Sequence, residues 1–463
     1  MSEPQETRKP NRFRITSIMI AVVVALICIL TSPLGVITQA SATYPIGPVN
    51  VVMTLGTPTT VINNTLYNGP TTSMVQLSNG SYLSFVREGF SHVGVGDYGV
   101  IKTYTSTNGS VWAYASTLVN ITHRDARHFV SGITQTGRIC GFYSVYDCDN
   151  ATWVNSWTEY IYSDDEGISW SANETLSHPN IDGFVPTDMI PHGEVKQIGA
   201  SRIALTVYTG NGSGTHIRFV YSDDDGTTWS QNDISTYYPL PNIITEADLA
   251  YLNNGNIVVF SRIDNVNEDE MFTSTDYGLT WTDRGTLIIG TMVRNFVPSL
   301  SVFTDTNGQM WVLALFVELD FYYTYAESES IMSNGLSAWI TPILETGLIG
   351  ILVKYASALF DSSGHGLIMA SELYPPLIPL ENSNIIVLDV TVTRDYTNQQ
   401  IFIIGMVNLI GVLFAIGMVA AIAMTAIKPL KEKKQPTVEH LINMMIFIVL
   451  GMVVIGTYYS MFT

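Results

Sequence analysis

The octapeptide Ser163-Asp164-Asp165-Glu166-Gly167-Ile168-Ser169-Trp170 returns as Ser222-Asp223-Asp224-Asp225-Gly226-Thr227-Thr228-Trp229 and as Ser274-Thr275-Asp276-Tyr277-Gly278-Leu279-Thr280-Trp281. The shared form is S-x-D-x-G-x-x-W. A degenerate copy ends at Trp112, with Thr107 for the aspartate and Gly109 in place, and a more eroded one ends at Trp339. Successive tryptophans lie 58, 59, 52 and 58 residues apart. A near-constant period marks a repeat architecture, in which each unit buries its apolar surface on its neighbours. Each copy follows a strand-like run, as in Glu159-Tyr160-Ile161-Tyr162 and Arg218-Phe219-Val220-Tyr221. The glycine supplies the positive φ of a tight hairpin turn. The aspartate accepts hydrogen bonds from turn amides, and the tryptophan is expected to pack back onto its own unit.

A unit of about 55–60 residues fits a four-stranded propeller blade. Val49 to Arg394 holds 346 residues, close to six such units. Strand-like runs recur where blades need them, as in Asn256–Phe260 and Met310–Leu315. The repeat resembles the Asp box, or BNR repeat, of sialidase-like propellers, a family with six blades. The expected fold is therefore all-β, a six-bladed β-propeller, closed by pairing Val49–Leu55 with the last blade near Ile385–Val392. Asp165, Asp224 and Asp276 are read as structural Asp-box acids that hold turns. The runs Asp164-Asp165-Glu166 and Asp223-Asp224-Asp225 lack the alternating acids and distal glutamate of an EF-hand. No metal or other cofactor is implied.

The resemblance extends to candidate site residues. Leu83–Gly89 followed by Gly94–Ile101 resembles the family's first strand and glycine-rich loop, which puts Asp97 at the general-acid position. Glu246-Ala247-Asp248, then Asn254-Gly255-Asn256 and a strand ending at Arg262, resembles the segment carrying the base and one arginine of a carboxylate clamp. Lys354–Phe360 resembles the Y-S-S-L type of motif around a tyrosine nucleophile, here Tyr355. Gly366–Glu372 resembles the strand ending in a supporting glutamate, Glu372. The implied catalytic set is Tyr355, Glu246 and Asp97, with Arg262 and Glu372 binding substrate. A sialic acid carries a carboxylate on its anomeric carbon, and a neutral tyrosine deprotonated by a glutamate avoids repulsion there.

The clamp departs from the family pattern. Tyr67-Asn68-Gly69-Pro70 has Asn68 where the first arginine belongs, and Glu318–Tyr323 is acidic where the third belongs. Arg262 alone carries over, leaving Arg87, Arg124, Arg127 and Arg294 as substitutes only if the fold brings them in. Two functions follow. One is a sialidase-like exo-glycosidase acting on terminal acidic sugars through an incomplete clamp. The other is a non-catalytic propeller that binds glycans or a protein for attachment, or serves as a structural envelope protein.

Composition places this propeller at a membrane. Net charge is −19 with 13% charged residues, which excludes nucleic acid as a natural partner. Residues 1–42 read as a signal peptide or anchor: Arg8, Lys9, Arg12 and Arg14, then apolar Ile15–Leu30, then small residues to Ala42. The propeller occupies 43–396. Residues 401–427 and 438–460 read as transmembrane helices, the latter around apolar Leu441–Tyr458, joined by a basic cytoplasmic loop at 428–437. The bilayer is thus an expected partner, with the propeller outside a cell or virion. Sequons at Asn63, Asn79, Asn108, Asn120, Asn150, Asn173 and Asn211 accord with export. Cys28 lies in the first apolar segment, which leaves Cys140 and Cys148 as a candidate disulfide.

Overall fold

Runs rich in Val, Ile, Phe and Tyr, broken by Gly, Asn, Asp and Ser turns, form strand after strand. The computed structural model describes residues 50–395, apart from 57, 63–66, 92–94, 150–153, 178–187, 212, 305–308, 345–351, 362–364 and 374–382. The leader, both expected spans and the basic loop lie outside the described residues. Among the described residues no helix is long and apolar enough to cross a membrane.

The strands fall into six antiparallel meanders. The first is Tyr67–Gln76, Tyr82–Gly89, Val100–Ser106 and Ala113–Val119. The second is Asp125–Ile133, Ile139–Asp147 and Val154–Ser163, edged by Glu174–Thr175. The third is Asp188–Ile198, Arg202–Gly210, Gly214–Ser222 and Ser230–Asp233. The fourth is Ile244–Tyr251, Ile257–Ile263, Glu268–Ser274 and Thr282–Ile288. The fifth is Val297–Thr304 and the long Met310–Glu327, whose second half pairs with Ile343–Leu344 across a short helix at Ser328–Asn334. The sixth is Leu352–Phe360, His365–Leu373 and Ser383–Asp395.

The first strand of each meander lies beside the first strand of the next, and that of the sixth lies beside that of the first. This is the arrangement of a β-propeller. The sheet of the sixth meander is completed from the other end of the chain: Asn50–Leu55 and Thr59–Ile62 both join Ser383–Asp395, with Thr59 opposite Val387 and Thr60 opposite Ile386. That is the closure expected of Val49–Leu55, extended by a second strand.

The cores lie between meanders rather than within one sandwich. Val75, Leu83, Phe85 and Ile101 of the first pack on Phe129, Tyr143 and Ile161 of the second. Equivalent clusters join the second to the third, the third to the fourth, the fourth to the fifth, and the sixth to the first. Inner strands are therefore covered on both faces and read as unbroken apolar runs, as Ile257-Val258-Val259-Phe260 does. Outer strands such as Ala113–Val119 are mostly exposed.

The Asp boxes form as expected. Ser163 Oγ donates to Asp165 Oδ1 at 2.8 Å and accepts from the Gly167 amide at 2.8 Å. Asp165 also accepts from the Ser169 amide and hydroxyl, at 2.8 and 2.6 Å. Asp224 and Asp276 repeat the pattern. The tryptophan differs from expectation. It packs on the preceding meander, edge-on to Phe85 from Trp170, to Phe142 from Trp229 and to Phe219 from Trp281, at 5.7, 4.8 and 5.4 Å between ring centres. Eroded Trp339 does the same to Phe260 at 5.0 Å. A four-stranded blade exposes a whole apolar face, so a half-buried indole finds its partner on the neighbour.

The candidate disulfide is not formed: Cys140 and Cys148 are buried free thiols. Cys140 is the second residue of the strand Ile139–Asp147, and Cys148 follows its last residue. Eight residues of extended chain separate Cα atoms by roughly 25 Å, whereas a disulfide needs about 4.4–6.8 Å. Burial pushes the Cys140 thiol up to about 12.

Candidate active site

Because strands alternate in direction, every first strand starts at one end of the ring, and the Asp-box hairpins after each third strand lie at the other. The starting end is irregular. Bulges interrupt the first strands of the second, third, fourth and sixth meanders between Arg127 and Val130, His192 and Lys196, Thr245 and Ala247, and Lys354 and Ala356. A residue with positive φ sits in each: His128 at 48°, Gly193 at 73°, Glu246 at 32° and Tyr355 at 46°. For residues other than glycine this conformation costs roughly 1–3 kcal/mol and gathers at functional sites. A bulge re-aims a side chain that regular alternation would send into a neighbouring core.

Tyr355 and Glu246 meet at this end. The Tyr355 hydroxyl donates to Glu246 Oε1 at 3.1 Å, and both side chains are buried. Glu246 Oε2 accepts from Arg262 Nη1, and Arg262 Nε donates to Asp264 Oδ1 at 2.7 Å. Burial opposes ionisation of Glu246, but Arg262, His192 and the Tyr355 hydroxyl outweigh it and hold the carboxyl below its ordinary range. Burial pushes His192 down, and its ring lies 6.2 Å from that of Tyr355. Burial raises Asp264, while Arg262 opposes that rise.

These groups border a cavity of about 430 Å³ whose lining includes His128, Tyr146, Asp188, Tyr208, Glu246, Arg262, Asp264 and Tyr355. Its size suits one or two sugar rings. A smaller hollow that also touches Tyr355 is lined by the buried Glu194, Asp248 and Ser357, with partly exposed Lys196 paired to Glu194. Asp248 accepts from the Leu249 and Leu300 amides at 2.8 and 2.7 Å, and Ser357 donates to Glu194 at 2.5 Å. The strand bearing Glu246 is thereby tied to that of the fifth meander, and the strand bearing Tyr355 to that of the third.

Asp97 sits elsewhere. The described cavity lining does not include it. Its carboxylate accepts from Arg87 Nη2 at 3.0 Å, from the Phe90 and Ser91 amides at 2.8 and 2.9 Å, and from the Ser91 hydroxyl at 3.1 Å. Burial alone would raise it, but Arg87 and those amides hold it below its ordinary value. Asp97 is thus tied to Arg87 and to its own loop. The arginines named as substitutes are engaged too. Arg87 makes a two-bonded pair with Asp125, 2.9 Å on each arm. Arg127 Nε lies 3.6 Å from Asp125, with its guanidinium 5.3 Å from the Tyr146 ring centre. Arg124 faces Asp147 and Arg294 faces Asp320. Glu372 pairs through its backbone with Val353 and Asn384, and its side chain lies outside the described residues. The side chain of Asn68 lies outside them as well.

The sequence reading missed Asp188, His192 and Asp264. The signal available was Pro191-His192-Gly193-Glu194, a polar break with glycine inside an otherwise buried strand.

The chain matches the model of the BNR repeat-like domain over residues 100–315. It is 29% identical over 211 residues to the anhydrosialidase of Macrobdella decora, covering 42% of this chain and 24% of that protein. It is 24% identical over 235 residues to a sialidase of Paraclostridium sordellii, covering 45% of this chain and 56% of that protein. The chain thus spans between a quarter and just over half the length of these relatives. Among solved structures, the intramolecular trans-sialidase from Ruminococcus gnavus, in complex with oseltamivir carboxylate, matches with a TM-score of 0.54 at 13% identity, covering 71% of this chain and 94% of that one. At such identity the likeness speaks for the fold alone. Repeat, fold and relatives are all consistent with a sialidase-like BNR-repeat family, which this chain resembles.

Proposed function

We propose that this protein is a sialidase-like glycosidase in which Tyr355 is the nucleophile and Glu246 its base. The observation that supports this most is the 3.1 Å bond from the Tyr355 hydroxyl to Glu246 at the edge of a sugar-sized cavity. Glu246 is ionised near neutral pH and can take the phenolic proton. The freed Tyr355 oxygen bonds to the anomeric carbon as the bond to the leaving oxygen breaks. The leaving oxygen takes a proton from a cavity carboxyl. Asp188 and Asp264 are the two remaining there, and burial moves Asp264 in the direction an acid needs. Water then attacks the anomeric carbon and gives its proton to that same cavity carboxylate, while the bond to the Tyr355 oxygen breaks and that oxygen recovers its proton from Glu246, so the glycosyl group leaves with net retention.

A second reading, a propeller that binds glycans without cleaving them, is favoured by one observation. Arg262 is already shared by Glu246 and Asp264, which leaves little of it for a substrate carboxylate. A Tyr355→Phe variant separates the two. On a panel of aryl glycosides it should lose hydrolysis by at least about a hundredfold while glycan binding stays within about twofold. Binding in both proteins with hydrolysis in neither leaves the binding reading. We further propose that the propeller is displayed outside a membrane with residues 428–437 inside, because basic clusters flank the apolar segments. Protease added to intact cells or particles should reach the propeller; protection of it in sealed membranes overturns this topology.

A further inference from the structure

We propose that the cavity takes a glycan bearing a protonated amine, and not a carboxylate, on the ring beside Tyr355. The inference rests on the reading of this cavity as a glycan site and concerns which sugar it selects. Asp188, Glu246 and Asp264 line the cavity with one guanidinium, that of Arg262. Arg262 is a donor to two of those three acids, Glu246 through Nη1 and Asp264 through Nε. A sugar carboxylate would have to compete for it with these two protein carboxylates. Arg87 is buried and held by Asp125 and Asp97 together, and Arg127 lies against Asp125 and Tyr146.

A carboxylate entering this cavity would meet like charge from three acids against one guanidinium, and lose water in doing so. An ammonium group gains from the same surroundings. It is compact, carries three donors, and can be shared among carboxylate and tyrosine oxygens. Hydroxyls of the same sugar can meet Tyr146 and Tyr208, which also line the cavity. The incomplete arginine clamp is then a change of specificity rather than a loss of function.

The test is calorimetric titration of the full chain with three ligands at mildly acidic pH: a glucosamine tetramer, its N-acetylated counterpart, and sialyllactose. The acetylated tetramer keeps the ring and removes the charge. We expect the free amine to bind at least about tenfold more tightly than the acetylated form, and sialyllactose to bind weakest. The preference should shrink at high salt, a measurement on the unaltered protein, because it is electrostatic. It should shrink also in Asp188→Asn, provided that variant melts like the parent. Equal or tighter binding of the acetylated tetramer overturns the proposal, and so does tighter binding of sialyllactose. If sialyllactose is preferred and hydrolysed in a Tyr355-dependent manner, the amine inference falls while the glycosidase reading stands. If no ligand binds and no glycoside is hydrolysed, the glycan site itself is refuted.

Discussion

Tyr355 and Glu246 stand 109 positions apart in the chain and share a hydrogen bond. Their meeting was legible because each sits in a segment with its own resemblance, and the order along the chain fixed their blades. Asp264 and His192 were not legible, because their importance exists only once three meanders share one mouth. The partner of Asp97 was not legible either: a glycine-rich loop does not disclose that Arg87 bonds its carboxylate. Substitution of Glu246 shows what the pair contributes. Glu246→Ala removes the acceptor of Tyr355 and one of two carboxylates on Arg262, while Asp264 remains. Urea denaturation should show a loss of about 1–3 kcal/mol, since one partner survives. The folded carboxyl lies below its ordinary value, so its stabilisation is present above about pH 4.3, the unfolded value, and is lost as pH falls through the folded one. The gap between parent and Glu246→Gln should therefore narrow in acid and persist at neutral pH.

At the scale of the element, the Asp-box hairpin is the recurring unit, and its sequence was the clearest signal in the chain. The period and the turn bonds could be read from spelling alone because every partner lies within eight residues. The direction of the tryptophan could not, since the face it covers belongs to another repeat. Glycine carries a second duty for the same reason. A side chain at Gly226, where φ is 81°, would meet the Tyr160 hydroxyl of the preceding meander at 2.3 Å. Arginines reinforce the contact without any motif to announce them. Arg138 bonds Asp164 of its own hairpin and the Asp225 carbonyl of the next, and Arg202 does likewise with Asp223 and the Tyr277 carbonyl. Trp229→Ala should lower unfolding free energy by about 2–3 kcal/mol, somewhat less than a fully buried tryptophan would, because the indole is only half-buried. Equilibrium denaturation followed by near-ultraviolet dichroism would check this value.

At the scale of the whole molecule, five copies of the repeat in a stretch long enough for about six units announced a ring, and the amino-terminal strands were expected to close it. Thr59–Ile62 lies on Ser383–Asp395, and Ile62 is buried with Met369, Ile385 and Val387. A chain starting after Ile62 should melt lower than one starting at Asn50. It should lose about 2–3 kcal/mol from the burial of Ile62 alone, and limited proteolysis should cut the sixth meander first. An unchanged melting temperature would show that the closing strands add nothing. The orientation of the hairpins has a consequence in time. Each indole grips the blade made before it: Trp170 the first, Trp229 the second, Trp281 the third, Trp339 the fourth. A chain emerging from the ribosome thus meets every docking face already synthesised, and blades can be added in order without waiting for the carboxyl terminus. Gly109 is the exception, pressed against Leu367 of the last blade with Trp112 in the same cluster. That first, degenerate copy must stay undocked until synthesis is nearly complete, so an imperfectly spelled hairpin is the latch that shuts the finished ring.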